Sequence, residues 1–266
     1  MRINNNVAAL NAYRNQSATN VSLGKSLEKL SSGFRINRAA DDAAGLVVSQ
    51  KLRAQLGGIR TAVRNVQDGI SVVQTAEGAF NEVHNMLGRM RELSIQAANA
   101  GSNDAEAIAA AQAEYDALVD EIDHISNKTS FGSTALLDGT FGENFQVSQT
   151  SADVVNVAIV DSDATALLVT GLTVGLSATT TAIDAAINDV SAWRGDLGAL
   201  QNRFESMVSN LNVALENLTA SESRIRDADM ALEMVSFTKS QILVQAGTAM
   251  IAQANAVPQS VLKLLQ

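Results

Sequence analysis

Glu121 and His124 stand three residues apart, a spacing that sets a carboxylate and an imidazole on one helix face, as in helical metal sites. A carboxylate-bridged metal bundle needs two such pairs and further glutamates, and this chain has one pair, so a solvated face is the reading. His84 has no histidine partner at ligand spacing and reads as a partly exposed helix residue. Asp227 and Asp229, beside Arg224 and Arg226, read as helix-capping carboxylates rather than a cation site. The glycines match neither a phosphate loop nor a dinucleotide fingerprint. With no cysteine there is no disulfide framework and no thiolate zinc site. No catalytic constellation emerges, so neither an enzyme nor a cofactor is expected.

What the residues do specify is long helices. In the stretch 45–101 apolar side chains fall at Leu52, Leu56, Ile59, Val63, Val66, Ile70 and Val73, a heptad seam. Glu77 occupies the next position, Phe80 restores the phase, and the short step to Val83 reads as a stammer before Leu87 and Met90. A helix of roughly 55 residues would run about 80 Å at 1.5 Å per residue. Gly57, Gly58, Gly69, Gly78 and Gly88 each weaken such a helix by about 1 kcal/mol relative to alanine, so packing must hold it. A complementary seam recurs at Ile183, Ile187, Val190, Leu197, Leu200, Phe204, Met207, Leu211, Leu215, Leu218 and Ile225, with Arg194 and Glu222 as polar interruptions. Two such helices in one chain imply an intramolecular antiparallel coiled coil.

Composition agrees. Ten aromatics in 266 residues argue for long packed helices around a thin core, and 46% apolar residues argue against disorder throughout. The net charge of −9 is uneven. Residues 129–193 contain no lysine or arginine but hold Asp138, Glu143, Asp153, Asp161, Asp163, Asp184 and Asp189, whereas the first sixty residues are basic. That basic stretch has only Tyr13 and Phe34 as aromatics, so contact between subunits explains it better than nucleic-acid binding. No run is long and apolar enough to span a bilayer, stable membrane insertion is not expected, and the N-terminus lacks a cleavable signal pattern.

In chain order, a helical stripe opens at Ile3, Val7 and Leu10 and continues through Val21, Leu23, Leu27 and Leu30, with Gly33 as its C-cap. A basic connector leads to Asp41 or Asp42, either able to cap the long helix. Asp104 caps another helix over about residues 105–126, forming a helical hairpin. Beyond Thr129 the period changes to two: Asp138-Gly139 signals a hairpin turn, Val155, Val157 and Ile159 alternate as in a strand, and residues 165–181 predict short strands and turns. The returning helix is expected over about residues 182–220. A terminal helical seam carries Met250, Ala254, Val257, Val261 and Leu264, with a kink or early end at Pro258. The expected fold is mainly α: long antiparallel coiled-coil helices from both ends of the chain with a small β-hairpin insert.

Two motifs then resemble a known family. Leu30-Ser31-Ser32-Gly33-Phe34-Arg35-Ile36-Asn37-Arg38-Ala39-Ala40-Asp41-Asp42-Ala43-Ala44-Gly45-Leu46 is similar to the N-terminal signature of bacterial flagellins. Ser223-Arg224-Ile225-Arg226-Asp227-Ala228-Asp229-Met230-Ala231, the run 241–250 and Ala254-Asn255-Ala256-Val257-Pro258-Gln259 resemble the C-terminal one. The resemblance implies a filament subunit, secreted through the flagellar type III apparatus in unfolded form and added at the distal tip beneath a cap. Residues 1–44 and 221–266 would form an inner helical domain, and residues 45–220 an outer one carrying an acidic β-rich insert at about 129–181. Implied partners are further copies of the chain, an export chaperone, the filament cap and hook-junction proteins.

The pattern assigns self-assembly to Ile3, Val7, Leu10, Leu243, Met250, Val257, Val261 and Leu264, stripes that lack a complete partner in a lone chain, with Arg35, Arg38, Asp41 and Asp42 setting register between subunits. By resemblance, Arg89, Leu93 and Glu114, with Gln96 on the same face, match positions recognised by Toll-like flagellin receptors, although Gly88 departs from the family's longer polar side chain. The structural reading is an ion pair between Arg89 and Glu114. Thr150, Ser151, Ser162, Thr165, Ser177 and Thr179 are O-glycosylation candidates wherever exposed, as in similar flagellins. A hook–filament junction protein is the alternative function, and a membrane-inserting secreted protein a weaker one.

Overall fold

The computed structural model describes residues 6–99, 101, 104–150 and 152–265, with side chains to Val257. Its elements are α1 (Val7–Ser32), α2 (Ala43–Ala97), α3 (Ala105–Lys128), β1 (Ser130–Phe131), β2 (Thr134–Ala135), β3 (Gly142–Gln146), β4 (Val154–Ala158), α4 (Ser177–Arg226) and α5 (Met230–Leu265). The mainly α reading and the caps hold. Asn6 Oδ1 accepts from the Ala9 amide at the start of α1, and Gly33, at φ 74°, donates to the Lys29 carbonyl at its end. Asp42 Oδ1 accepts from the Gly45 amide (2.9 Å) at the start of α2, and Asp104 Oδ1 from that of Ala107 (2.8 Å) at the start of α3.

The chain divides into two packed units, one of Met1–Leu56 with Glu216–Gln266 and one of Gly57–Leu215. The divisions therefore fall inside α2 and α4, further from the termini than the expected 44/45 and near the expected 220/221.

In the unit Gly57–Leu215 the buried seam of α2 is Ile59, Ala62, Val66, Gly69, Val73, Ala76, Phe80, Val83, Leu87, Met90, Ser94 and Ala97, steps of three and four in strict alternation, with Val72 and Leu93 buried beside it. The stammer expected at Val83 is absent. Small residues at 62, 69 and 76 hold the positions assigned to Val63, Ile70 and Glu77, which are half-buried. On α4 the series is Thr179, Ile183, Ala186, Val190, Trp193, Leu197, Leu200 and Phe204, so Trp193 fills the place where Arg194 looked like an interruption. The two helices are antiparallel: Ser94 Oγ meets Thr180 Oγ1 (3.0 Å), Arg91 meets Asp184 (2.6 Å), the Phe80 ring tilts against Trp193 (5.9 Å), and Phe204 packs over Gly69. Gly69 makes room for that ring, since a Cβ there would lie 3.1 Å from it.

The insert wraps α3. Tyr115 donates its hydroxyl to the Val169 carbonyl (2.8 Å), and burial pushes its pKa up to about 12. Gln112 donates to the Leu172 carbonyl and accepts from the Val174 amide, holding the turns of residues 165–176 by their backbone. Those turns contain no strand. Leu167, Val169 and Val174 are buried directly, and α4 begins at Ser177 because Thr179 already occupies a seam position. Asp138-Gly139 is not a hairpin loop, since β1 pairs with β2 and β3 with β4, both antiparallel. Asp138 instead accepts from the Thr140 amide and hydroxyl in a bend between the two hairpins, with Gly139 at φ 73°. The alternation at Val155, Val157 and Ile159 is buried as expected, and Phe145 of β3 meets Phe204 edge-on (6.2 Å).

Candidate assembly surface

In the unit Met1–Leu56 with Glu216–Gln266, α1 packs against α5 through mostly small and polar residues with a few large apolar ones among them. The half-buried or buried positions of α1 include Ala9, Ala12, Gln16, Thr19, Leu23, Ser26 and Leu30, a three–four alternation, with Glu28, Lys29 and Ser32 half-buried beside them, and those of α5 include Glu233, Phe237, Ser240, Val244, Gly247, Ile251 and Ala254. A groove of about 410 Å³ between them is lined by Ala12, Gln16, Gly247 and Met250 among others. A Cβ at Gly247 would meet Gln16 Oε1, so Gln16 would have to turn its side-chain amide away. Lys29 and Glu233 add a loose ion pair at 3.9 Å.

The pairing leaves many large apolar side chains outside. Val7 is 58% exposed, Leu10 60% and Met250 63%, and Leu243 and Val257 are exposed too. Val21, Leu27, Met234, Val235 and Ile242 extend this apolar surface. The stripe expected on α1 is thus split, with Leu23 and Leu30 turned toward α5 and Val7, Leu10, Val21 and Leu27 turned away. Ile3 lies outside the described residues, as do the side chains of Val261 and Leu264. α5 does not end at Pro258 but continues to Leu265, because one missing hydrogen bond does not outweigh the bonded turns flanking it.

The two signature motifs meet in this unit. Phe34 and Asp227 form an antiparallel bridge, with the Arg35 amide donating to the Arg226 carbonyl (2.7 Å) and the Ala228 amide to the Gly33 carbonyl (2.9 Å). The guanidinium groups of Arg226 and Arg53 lie 4.5 and 5.2 Å from the centre of the Phe34 ring. Arg53 also pairs with Glu222 (2.8 Å), so the position that looked like an interruption of the α4 seam is an ion pair.

The four residues assigned to register all have partners within the chain. Arg35 donates to the Ile225 carbonyl, Arg38 to Glu28 (2.7 Å), Asp41 Oδ2 accepts from the amides of Asn37 and Arg38, and Asp42 caps α2. Hydrogen bonds from Asn37 and Arg38 hold the Glu28 carboxyl below the ordinary carboxylate range, and the Arg38 and Asn37 amides do the same for Asp41. Sequence reasoning missed Glu28, whose i+10 relation to Arg38 has no helical signature.

In the other unit, Arg89 Nε donates to Glu114 (2.8 Å) and its Nη1 to Glu92 (3.1 Å), the inter-helix ion pair of the structural reading. Hydrogen bonds to Glu114 and then Glu92 raise the Arg89 pKa. Leu93 is 2% exposed, buried beside the seam residue Ser94, so it is no part of a recognition surface; Gln96 is exposed. Ser162 and Thr179 are buried, the latter donating to the Thr173 carbonyl, and are inaccessible to glycosylation. Thr150, Thr165 and Ser177 are exposed, and Ser151 lies outside the described residues. Glu121 and His124 stand 3.9 Å apart on an exposed face, and among the described residues no cluster of three or more ligand-type side chains could hold a metal. No helix among them is long and apolar enough to cross a membrane.

Comparison with known proteins agrees with this arrangement. Residues 3–142 match the bacterial flagellin N-terminal helical region, and residues 180–265 the C-terminal helical region. The chain is 47% identical to a flagellin of Bacillus subtilis (strain 168) and 48% identical to one of Halalkalibacterium halodurans, with both chains covered in full in each case. It is 45% identical to the flagellar filament 33 kDa core protein of Treponema phagedenis, again over the whole of both chains. The crystal structure of Bacillus cereus flagellin superposes with a TM-score of 0.50 at 34% identity, covering 56% of this chain and 88% of that one. With both terminal helical regions matched and full-length relatives at this identity, the chain belongs to the bacterial flagellin family.

Proposed function

We propose that the chain is a structural subunit of the bacterial flagellar filament, polymerising with its own copies outside the cell through the outward faces of α1 and α5. One observation carries the reading. The α1–α5 pair is closed mostly by small and polar residues, with Leu23, Leu30, Phe237, Val244 and Ile251 half-buried among them, while Val7, Leu10, Leu243 and Met250 are exposed. Burying a large apolar side chain contributes roughly 1.5–3 kcal/mol, so stacked copies would recover what the lone chain forgoes. Arg35, Arg38, Asp41 and Asp42 would then set subunit register indirectly, by fixing the joint between α1 and α2.

Export in unfolded form, escort by a chaperone, addition beneath a tip cap and joining to hook-junction proteins belong to this reading. So does recognition by a Toll-like receptor at Arg89, Gln96 and Glu114, and O-glycosylation at Thr150, Thr165 and Ser177. The assembly step is tested by seeding concentrated full-length chain with filament fragments and viewing the product by electron microscopy. Filaments are expected from the intact chain and none from Leu10→Ser/Met250→Ser, whose second unit should melt unchanged. Normal filaments from that double variant, or from a chain lacking its last dozen residues, would defeat the proposal.

A further inference from the structure

Asn6 makes two contacts through one side chain. Its Oδ1 accepts from the Ala9 amide (3.1 Å) and caps α1, while its Nδ2 donates to the Ala254 carbonyl of α5 (2.8 Å). Only one amide orientation satisfies both, since the flipped one would set acceptor against carbonyl and donor against N–H. The carbonyl is a particular one. In an α-helix it would accept from the amide four residues on, which here is Pro258, the chain's sole proline, whose nitrogen has no hydrogen. Pro258 therefore leaves the Ala254 carbonyl without its ordinary amide partner four residues on.

We propose that Asn6 is a positioning residue that fixes the register of the N-terminal end of α1 against α5 by recognising the carbonyl left open by Pro258. The Phe34–Asp227 bridge pins the two helices at one end, and the contact of Asn6 with the Ala254 carbonyl pins them at the other. Loss of that contact would leave the carbonyl half-buried without a partner and let the outward side chains of Val7 and Leu10 shift relative to those of α5. This inference rests on the filament reading for its consequence, but the contact itself lies within one chain.

A double-variant cycle tests it with the full chain, Asn6→Ser, Pro258→Ala and their combination. Serine retains the capping oxygen and carries no charge, but is too short to reach α5, so a capping role alone predicts little change. The Pro258→Ala substitution returns an amide to the Ala254 carbonyl. With Pro258 in place, Asn6→Ser is expected to raise the critical concentration for seeded growth about fivefold to tenfold, and in the Pro258→Ala background less than about twofold. Equal effects in both backgrounds, or none with Pro258 in place, overturn the proposal. If the unaltered chain forms no filaments, the filament reading fails by itself. The same non-additivity is then expected in the thermal loss of helix signal of the unpolymerised proteins, and additive effects there overturn the register role.

Discussion

At the scale of single residues the chain holds carboxylates of opposite tendency. Burial, then a hydrogen bond shared with Asp163, raises the pKa of Asp123, whose Oδ1 also accepts from the Ala164 amide. A carboxyl with a folded-state pKa above its unfolded value binds its proton more tightly when folded, so it adds stability as pH falls through the folded value. Asp123→Asn keeps the acceptor and can donate to Asp163. It should raise the melting temperature of the Gly57–Leu215 unit at pH 7 by roughly 1–3 °C and flatten its rise on mild acidification, as followed by calorimetry. Glu28 and Asp41 are lowered, so their contribution is full above the unfolded values and is lost as pH falls through the depressed ones. The connector should therefore loosen at strongly acidic pH, read as faster amide exchange at Asn37 and Arg38, and unchanged exchange there would refute the clamp. Caps were the most legible residues in the sequence, because Gly33, Asp42 and Asp104 act within four positions of themselves. The burial of Leu93 was not, since it lies beside the seam residue Ser94 and both are buried.

At the scale of elements, the decisive residues are those with almost no side chain. Heptad spacing was visible in the sequence as Val, Leu and Ile, and the antiparallel α2–α4 pair followed from it. Apolar scoring passes over alanine, glycine and serine, so Ala62, Gly69 and Ala76 were displaced by the larger neighbours Val63, Ile70 and Glu77, and a phase break was inferred where none exists. The same blindness hid the α1–α5 contact, whose inner face is mostly small and polar. Glycines separate accordingly. Gly78 has open space where a Cβ would go, and Gly78→Ala should stabilise the chain by about 0.5–1 kcal/mol through helix propensity alone, as read by denaturant unfolding. Gly247→Ala should instead drive Gln16 from its place and raise the critical concentration for growth, and adding Gln16→Ala should restore most of the loss. A Gly247→Ala chain that grows normally would show the α1–α5 approach to be looser than described.

At the scale of the whole molecule, apolar burial is divided unequally between the two units. The unit Gly57–Leu215 contains the continuous core from Val66 to Phe204 with Tyr115, Phe80 and Trp193 around it. In the other unit, the fully buried apolar residues among those described are Ile36 and Leu56. Ordering a residue costs roughly 1–2 kcal/mol of conformational entropy, and two buried side chains cannot offset that over two long helices. On the proposed filament reading neighbouring copies stabilise the helical α1–α5 pair, and local opening should concentrate there in the lone chain. Full-length monomer is expected to melt in two steps, with α1 and α5 lost first. Limited proteolysis should trim both ends and leave a protected fragment near residues 57–215, whereas in seeded filaments the early step should disappear and the ends resist cleavage. A monomer that melts in one cooperative step with both ends protected would mean that α1 and α5 need no neighbours, and the outward apolar residues would then require a different explanation.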